Sequence, residues 1–258
     1  MFSRLKKKLL NTTDKLLPAL AILILLAVWE IVSDTGIVPK YMLPSPVEVA
    51  QAFVTDFPLL LENSRTTLIE TFVGLFAGIG VGFLFAVIMD MFKPIRKALY
   101  PLIVITQTIP PVALAPLLVL WFGYEMTPKV ILIVLIVFFP VAVSLLDGYE
   151  SADKDTISLM RSMGATKVQI FRYVKFPGAL EQFFASLKIA VSYAVVGAVI
   201  SEWLGGFQGL GVYMTRVKKS YAFDKMFAVI FLISALSLLL MFGVNLLKKK
   251  CMPWDKRN

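Results

Sequence analysis

Six apolar runs, each long enough to cross a lipid bilayer, recur along this chain of 258 residues. They lie at about 16–33, 66–89, 98–122, 127–146, 184–204 and 225–247, and a membrane-spanning helix needs about 20 mostly apolar residues. Apolar residues make up 58% of the chain and charged ones 17%, with a mean hydropathy of +0.80. Soluble proteins are less apolar and more charged. The sequence therefore predicts an all-α, polytopic membrane protein with six transmembrane helices.

The charges between these runs predict an orientation, because cytoplasmic loops carry an excess of Lys and Arg. Both termini are expected in the cytoplasm. That arrangement places inside Arg4, Lys6, Lys7, Lys8, Lys15, Lys93, Arg96, Lys97, Lys154, Arg161, Lys167, Arg172, Lys175 and the five basic residues from Lys248 onward, and outside Lys40, Arg65, Lys129, Arg216, Lys218, Lys219 and Lys225. The asymmetry satisfies the rule, although the outer cluster from Arg216 to Lys219 fits it poorly.

The predicted organisation is a basic N-terminus at 1–15, one transmembrane domain at 16–247 and a basic tail at 248–258. A polar loop at 147–183 interrupts the domain. The fifth run is the weakest span, since only thirteen residues separate Lys188 from Glu202. We expect these two side chains to reach opposite membrane surfaces. Omitting this span would put the basic tail outside.

Several functional classes are excluded or disfavoured by composition. Histidine is absent and Cys251 is the single cysteine, so disulfides are excluded and a metal site or histidine-based catalysis is not expected. No Gly-Lys dipeptide occurs, which excludes the phosphate-binding loop of ATPases. The net charge of +9 is explained by a cytoplasmic membrane face rather than by nucleic acid. Lipidation of Cys251 is a less favoured alternative.

A strong helix start follows the first run. Ser45 can cap the helix, Pro46 suits its first position and Glu48 its third. These residues predict a surface helix that lies on the membrane.

Glycines in the second run predict close helix packing. Gly74, Gly78 and Gly82 recur four residues apart, which places them on one helix face where another helix can approach.

The third run contains an interruption. Two adjacent prolines and a third five residues later remove helix hydrogen bonds that lipid cannot replace, so this stretch must face protein or a water-filled cavity. It is either a solute-contacting broken helix or a kink repaired by neighbouring helices. The candidate translocation-path residues are Thr106, Gln107, Thr108, Pro110, Pro111 and Pro116.

A polar stretch from Asp155 to Pro177 separates the fourth and fifth runs. It reads as two short helices around Gly164, which would adopt a left-handed conformation. Asp155 is the expected cap of the first helix, Thr166 and Gln169 the capping box of the second, and Pro177 its end. Such a unit could be a solvated loop, an interfacial anchor or a plug for a groove on a soluble partner.

Four separated motifs resemble one family, the permeases of ATP-binding-cassette importers of the nitrate, sulfonate and taurine type. They are LPSPVEV after the first run, IPPVALAPLLVLWFG in the third, SLMRSMGA with a following FP in the polar stretch, and Glu202 with GLG after the fifth. In the family's third motif Glu-Ala-Ala stands where this chain has Ser158, Leu159 and Met160, and Leu stands where it has Phe176.

The resemblance implies an importer permease fold with a cytoplasmic coupling helix. Its expected ATPase-coupling residues are Ser158, Leu159, Met160, Arg161, Ser162, Gly164, Ala165 and Pro177. It implies ATPase subunits that bind ATP and magnesium in place of this chain, an extracytoplasmic solute-binding protein and a second permease copy in a bacterial cytoplasmic membrane. Relatives handle nitrate, sulfonates, taurine, pyrimidine vitamin precursors or riboflavin.

An ion-coupled carrier that works alone is the alternative function. Such a carrier would place carboxylates at mid-span, whereas Glu30, Asp90 and Glu202 lie near the ends of the predicted spans. A membrane-embedded enzyme is less favoured, because no nucleophile with a base and no paired acids are evident.

Overall fold

The computed structural model describes residues 2–36, 38–39 and 41–254, with side chains from residue 16 onward within those ranges. The basic side chains before Leu16, the residue Lys40 and the last four residues of the C-terminal tail, all part of the predicted charge pattern, lie outside the described residues. Every regular element in the described part is helical. The helices are α1 (Phe2–Asp34), α2 (Pro46–Thr55), α3 (Phe57–Met91), α4 (Lys93–Thr106), α5 (Pro111–Phe122), α6 (Met126–Glu150), α7 (Lys154–Ser162), α8 (Lys167–Ile170), α9 (Phe176–Gly205), α10 (Leu210–Lys219) and α11 (Phe223–Cys251), with a π-helical turn at Phe171–Lys175 between α8 and α9.

Five helical stretches of the described chain are long and apolar enough to cross a membrane. They are Leu16–Asp34, Phe57–Met91, Met126–Glu150, Lys167–Gly205 and Phe223–Cys251. The helices α4 and α5 make a sixth if they are counted together. The predicted all-α, polytopic class is therefore confirmed.

The predicted interruption of the third span is present as a sharp bend. Helices α4 and α5 meet at an angle of 99°, and Gln107 to Pro110 connect them. Pro110 and Pro111 lack the N–H groups that would continue α4, so the chain turns where the sequence predicts an interruption.

The chain separates into two compact units, one of residues 59–215 and 231–254 and the other of residues up to 58 and 216–230. In the larger unit, α6 and α9 supply most of a buried apolar core. Branched residues of α6 and small residues of α9 interlock there, namely Ile133, Val137, Val141, Ala190, Ala194 and Ala198. The alternation of large and small side chains lets the helices approach closely, which is how membrane helices associate without a hydrophobic driving force.

The predicted glycine ladder on α3 packs against α6. A Cβ atom added at Gly74 would lie 2.5 Å from the Ile133 side chain, and one added at Gly78 would lie 2.8 Å from Val137. At Gly82 the added atom would lie 3.0 Å from Val141. At these three positions the backbones of α3 and α6 are thus closer than a larger residue on α3 would allow. The predicted close helix contact is confirmed.

The smaller unit is built on α2 and the end of α1. The predicted capping box is confirmed: the Ser45 hydroxyl accepts from the Glu48 N–H at 3.2 Å, and a Glu48 carboxylate oxygen accepts from the Ser45 N–H at 2.8 Å. The Trp29 indole N–H donates to the Pro44 carbonyl at 3.0 Å. Val49 and Ala52 of α2 are buried against Ala228.

A stability comparison tests the glycine contact. Gly78→Ala should lower the free energy of unfolding by about 1–3 kcal/mol, because its methyl group overlaps Val137 and packed interiors resist added volume. Gly80→Ala is the matched control, since its methyl group would meet no atom within 4 Å and Ala favours helix over Gly. Thermal unfolding in one detergent should show the first variant melting below wild type and the second at or above it. Equal melting temperatures for the two variants would contradict the contact.

Candidate functional site

The polar stretch after α6 forms an exposed helix, α7, with its own cap. Asp153, not the predicted Asp155, is the N-cap residue, and its carboxylate accepts from the N–H groups of Asp155 and Thr156. The Thr156 hydroxyl also donates to it at 2.5 Å, and these bonds hold the pKa of Asp153 below its ordinary value. Asp153 is the cap because Asp155 already lies inside the first helical turn. At that position the negative charge of Asp155 still interacts favourably with the positive end of the helix dipole.

Apolar side chains of this stretch point into solvent. Leu159 is 62% and Met163 is 78% exposed, and no residue of α7 is buried. Gly164 follows with φ +82°, as predicted, and the Ala165 N–H donates to the Met160 carbonyl at 2.9 Å. A short helix that is rigidly capped and stopped yet leaves its apolar residues uncovered presents them as a contact surface.

The second helix of the stretch begins as predicted but does not end at Pro177. Thr166 and Gln169 form the capping box, while Pro177 lies in the first turn of α9. The ring of a proline in a helix clashes with the carbonyl four residues earlier, here that of Tyr173. This carbonyl belongs to the π-helical turn, whose wider spacing accommodates the ring, so helix continues from Lys167 to Gly205.

Two ion pairs attach the ends of this stretch to the preceding helices. Arg96 of α4 pairs with Glu150 at the end of α6, and its second nitrogen donates to the other carboxylate oxygen at 2.7 Å. Lys175 in the π-helical turn donates to Asp90 of α3 at 2.5 Å. The two arms of the polar stretch are therefore tied to α3 and α4.

The α4–α5 break lines a cavity of about 760 Å³. Of the predicted path residues, Thr106, Gln107, Thr108 and Pro111 lie in its wall, whereas Pro110 and Pro116 do not. The rest of the wall comes from Ile109 and from α5, α6 and α9, with Phe139 and Tyr193 as its bulkiest members. None of these wall residues is charged.

Four residues supply the polar side chains of this cavity, namely Thr106, Gln107, Thr108 and Tyr193. The Thr106 and Thr108 hydroxyls donate to carbonyls within α4. The carbonyl of Gln107 has prolines three and four residues ahead, so no N–H of the following turn can reach it. This mostly apolar cavity is therefore lined by the hydroxyls of Thr106 and Thr108 and by Gln107 and Tyr193, whose side chains can both accept and donate.

A second polar site, which the sequence reading missed, lies buried between α3, α6 and α9. Glu70 and Lys129 form a salt bridge at 2.5 Å, and their side chains are 5% and 6% exposed. Glu202 is 1% exposed and accepts from the Thr67 hydroxyl at 2.7 Å. We call Asn63, Thr67, Glu70, Lys129 and Glu202 the buried polar cluster.

The cluster caps the start of α10. The N–H groups of Gly209, Leu210 and Gly211 donate to the Asn63 side-chain oxygen at 2.9 Å, the Thr67 hydroxyl at 2.9 Å and the Glu202 carboxylate at 2.6 Å. These are N–H groups that a helix start leaves without partners of its own. Side chains from two other helices supply the partners. Gly209 has φ +126°, and a side chain there would overlap the Glu202 carboxylate.

One prediction is corrected by this cluster: Glu202 does not reach out to a membrane surface but is buried inside the protein. Lys129, which was assigned to the outer side, is buried as well. The glycine-rich segment after the fifth run becomes helical from Leu210. Glu70 was overlooked because a single acid in an apolar run carries no pattern, and its partner Lys129 lies two runs further along the chain, near the start of the fourth run.

A known protein family matches the part of the chain that contains these sites. Residues 78–252 match the family model described as binding-protein-dependent transport system inner membrane component. This range includes the cavity wall, the exposed helix α7 and Glu202.

Similar curated proteins are transport permeases. The chain is 38% identical to the formylaminopyrimidine transport permease protein ThiX of Halalkalibacterium halodurans, over 93% of this chain and 96% of the relative. It is 37% identical to a probable ABC transporter permease protein of Haemophilus influenzae, over 88% and 93%. It is 30% identical to the taurine transport system permease protein TauC of Escherichia coli, over 90% and 86%.

Solved structures share the fold. A chain of the MetNI methionine ABC transporter in inward-facing conformation superposes with a TM-score of 0.64 at 20% identity, covering 76% of this chain and 97% of that one. A chain of an amino acid ABC transporter gives 0.61 at 22% identity, covering 76% and 94%. This chain therefore resembles known transport proteins in the arrangement of its helices as well as in sequence.

Breaking the buried salt bridge should be costly. Lys129→Met leaves Glu70 as an uncompensated buried charge, so the free energy of unfolding should fall by about 3–5 kcal/mol. The double variant Glu70→Leu/Lys129→Met should recover most of that loss, because both charges leave together. Thermal unfolding of both in detergent checks this. If the double variant melted no higher than the single one, the pairing would not explain the cost.

Proposed function

The chain belongs to the family of binding-protein-dependent transport system inner membrane components, and from this premise we propose how it works. It is the membrane permease subunit of an ATP-binding-cassette importer. We propose that two copies line a path, that α7 docks on an ATPase subunit, and that an extracytoplasmic protein delivers the solute. ATP and magnesium would be bound by the ATPase and not by this chain.

The exposed apolar face of α7 carries the proposal. Leu159 and Met163 would enter a groove on the ATPase, with Ser158, Met160, Arg161, Ser162 and Ala165 as their neighbours in the contact. The two ion pairs, Arg96 with Glu150 and Lys175 with Asp90, would keep α7 from swinging independently. When the two ATPase subunits close around ATP, α7 would move with them. The ion pairs would make α3, α4 and α9 move together with α7, so that the polar stretch between them does not simply bend.

The cavity at the α4–α5 break is the proposed solute path. In this chain one side of it is formed by α5, α6 and α9, and a second copy would complete the wall. Thr106, Gln107, Thr108 and Pro111 would face the solute. Pro110 and Pro116 would act indirectly, by breaking α4 from α5 and by bending α5. The exposed apolar residues of α1 and α11 would face lipid.

The chemistry of the wall favours an uncharged polar solute. Anions favour cationic partners, and the wall contains no Lys or Arg; its polar side chains are neutral hydroxyls and the Gln107 amide. The relative ThiX is named for formylaminopyrimidine and the more distant TauC for taurine. We therefore propose a heteroaromatic vitamin precursor, not a sulfonate or nitrate.

The proposed orientation puts both termini and α7 in the cytoplasm. The last helix ends in Lys248, Lys249 and Lys250, and the polar stretch carries Lys154, Arg161, Lys167 and Arg172. The excess of basic residues on that side supports this orientation. The turn between α10 and α11 would then face outward.

Gly164 gives a sharp test of coupling. Gly164→Val should abolish or strongly reduce ATP-driven uptake, because a β-branched residue is strained at positive φ. Gly164→Asn is the matched control, since Asn tolerates this conformation and an added side chain meets no atom within 4 Å. Uptake and ATPase activity should be measured on the full complex in proteoliposomes. Wild-type uptake by the Val variant would refute the role of α7 in coupling.

Competition for uptake tests the solute class. The reconstituted wild-type complex should import a labelled aminopyrimidine. Excess unlabelled aminopyrimidine should inhibit this import, whereas taurine and nitrate should not. Tyr193→Arg, which adds a cation to the wall, should lower aminopyrimidine uptake several-fold without releasing the ATPase from the complex. Inhibition by taurine alone would refute the neutral class while leaving the permease role in place.

A further inference from the structure

We propose that the turn joining α10 to α11, together with the groove beside α2, is the docking surface for an acidic face of the extracytoplasmic solute-binding protein. The inference rests on the proposed function, because it takes this turn to face outward. It concerns Arg216, Lys218, Lys219 and Tyr221 of the smaller unit. We call these four residues the outer ledge.

Unneutralised charge is the first observation. Arg216, Lys218 and Lys219 are exposed, and none pairs with an acid in the described part of the chain. The next cation, Lys225, is by contrast paired with Asp56 at 2.9 Å. Outer cations oppose the orientation that the rest of the charge pattern favours. Three unpaired cations at the end of α10 therefore indicate a binding partner of opposite charge.

Backbone strain at Tyr221 is the second observation. The Tyr221 N–H donates to the Lys218 carbonyl at 3.2 Å, and the Ala222 N–H donates to the Val217 carbonyl at 3.0 Å. This pattern stops a helix with one residue in the left-handed conformation, which is usually Gly or Asn. Here it is Tyr221, with φ +58°. Bulky residues rarely take this conformation, and such strain concentrates at sites of function.

The strained backbone conformation leaves the Tyr221 ring exposed to solvent. Tyr221 is 71% exposed and lines a groove of about 540 Å³. Tyr41 and Glu48 form other parts of the wall, and Gln51 and Thr55 continue it along α2. Exposed tyrosines beside a groove of mixed polar and apolar character are typical anchors of protein interfaces.

The two observations favour a protein partner over a lipid surface. An anionic membrane would satisfy the cations and could accept an interfacial tyrosine, but it has no fixed shape to fit a groove. A protein face satisfies all three features if its acidic residues meet the ledge cations while an uncharged part covers the ring and enters the groove, whose wall carries Glu48 and Asp224 beside Lys225. Exposed charges also speed the encounter of the two proteins.

Charge reversal tests the cationic part. In the complex with its ATPase, placed in phosphatidylcholine nanodiscs, Lys218→Glu should weaken binding of the cognate solute-binding protein by about fivefold or more at low salt. The difference should shrink as salt is raised, because exposed charges are screened. Arg65→Glu is the matched control, since Arg65 is also exposed and predicted on the outer side but lies outside the ledge. It should bind within twofold of wild type.

Tyr221→Gly separates function from stability. Glycine relieves the strain at this position, so the melting temperature should stay level or rise. Affinity for the solute-binding protein should nevertheless fall by about fivefold or more, because the aromatic anchor is lost. A residue with a purely structural role would change stability and leave affinity unaltered.

Two results would overturn the proposal. One is unchanged affinity in both Lys218→Glu and Tyr221→Gly. The other is an effect that appears only with phosphatidylglycerol in the nanodisc, which would assign the ledge to lipid. Basal ATP hydrolysis and retention of the ATPase in these variants report on the permease role separately. If the wild-type chain retained no ATPase at all, the proposed function would fail before the ledge was tested.

Discussion

In the hydrocarbon core of a membrane, every backbone N–H and C=O group must find its partner inside the protein. This constraint explains the parts of the structure that depart from plain helix as well as the helices themselves. At the α4–α5 break, prolines remove donors, and the freed carbonyl lies where a cavity adjoins it. At the start of α10, three N–H groups have no helical partner, and Asn63, Thr67 and Glu202 supply the acceptors. Polar atoms in this chain are thus placed where regular backbone bonding stops.

Sequence patterns were sufficient at most places where the cause is local, with the cap of α7, which is Asp153 and not Asp155, as the exception. The caps at Ser45 and Thr166 and the left-handed Gly164 follow from neighbouring residues, and all three appear as predicted. The glycine spacing on α3 predicted a close helix contact because a helical face repeats every three to four residues. Long apolar runs predicted the helical class for the same kind of reason.

Long-range pairing could not be derived in that way. Glu70 and Lys129 are 59 residues apart in the chain, and nothing near either residue reveals the other. Glu202 was assigned to the membrane surface from its place near the end of an apolar run, but the start of α10 folds back over it. Pro177 was read as a helix end because the π-helical turn that accommodates it has no sequence signature. The bend between α4 and α5 was expected, but its angle depends on packing against α6 and α9.

The π-helical turn has a consequence for how the chain can vary. It holds one residue more than an α-helical turn would, so Phe171–Lys175 acts as a spacer in an otherwise continuous rod. Losing one residue there would restore regular α-helix but rotate everything before it by about 100° and draw it in by about 1.5 Å. The box at Thr166 would then face another direction, and the salt bridge from Lys175 to Asp90 would have to be rebuilt. Insertions and deletions among related chains should therefore collect in the loops and spare these five positions, because the turn sets the rotation of α7 and α8 relative to the helix α9 that follows.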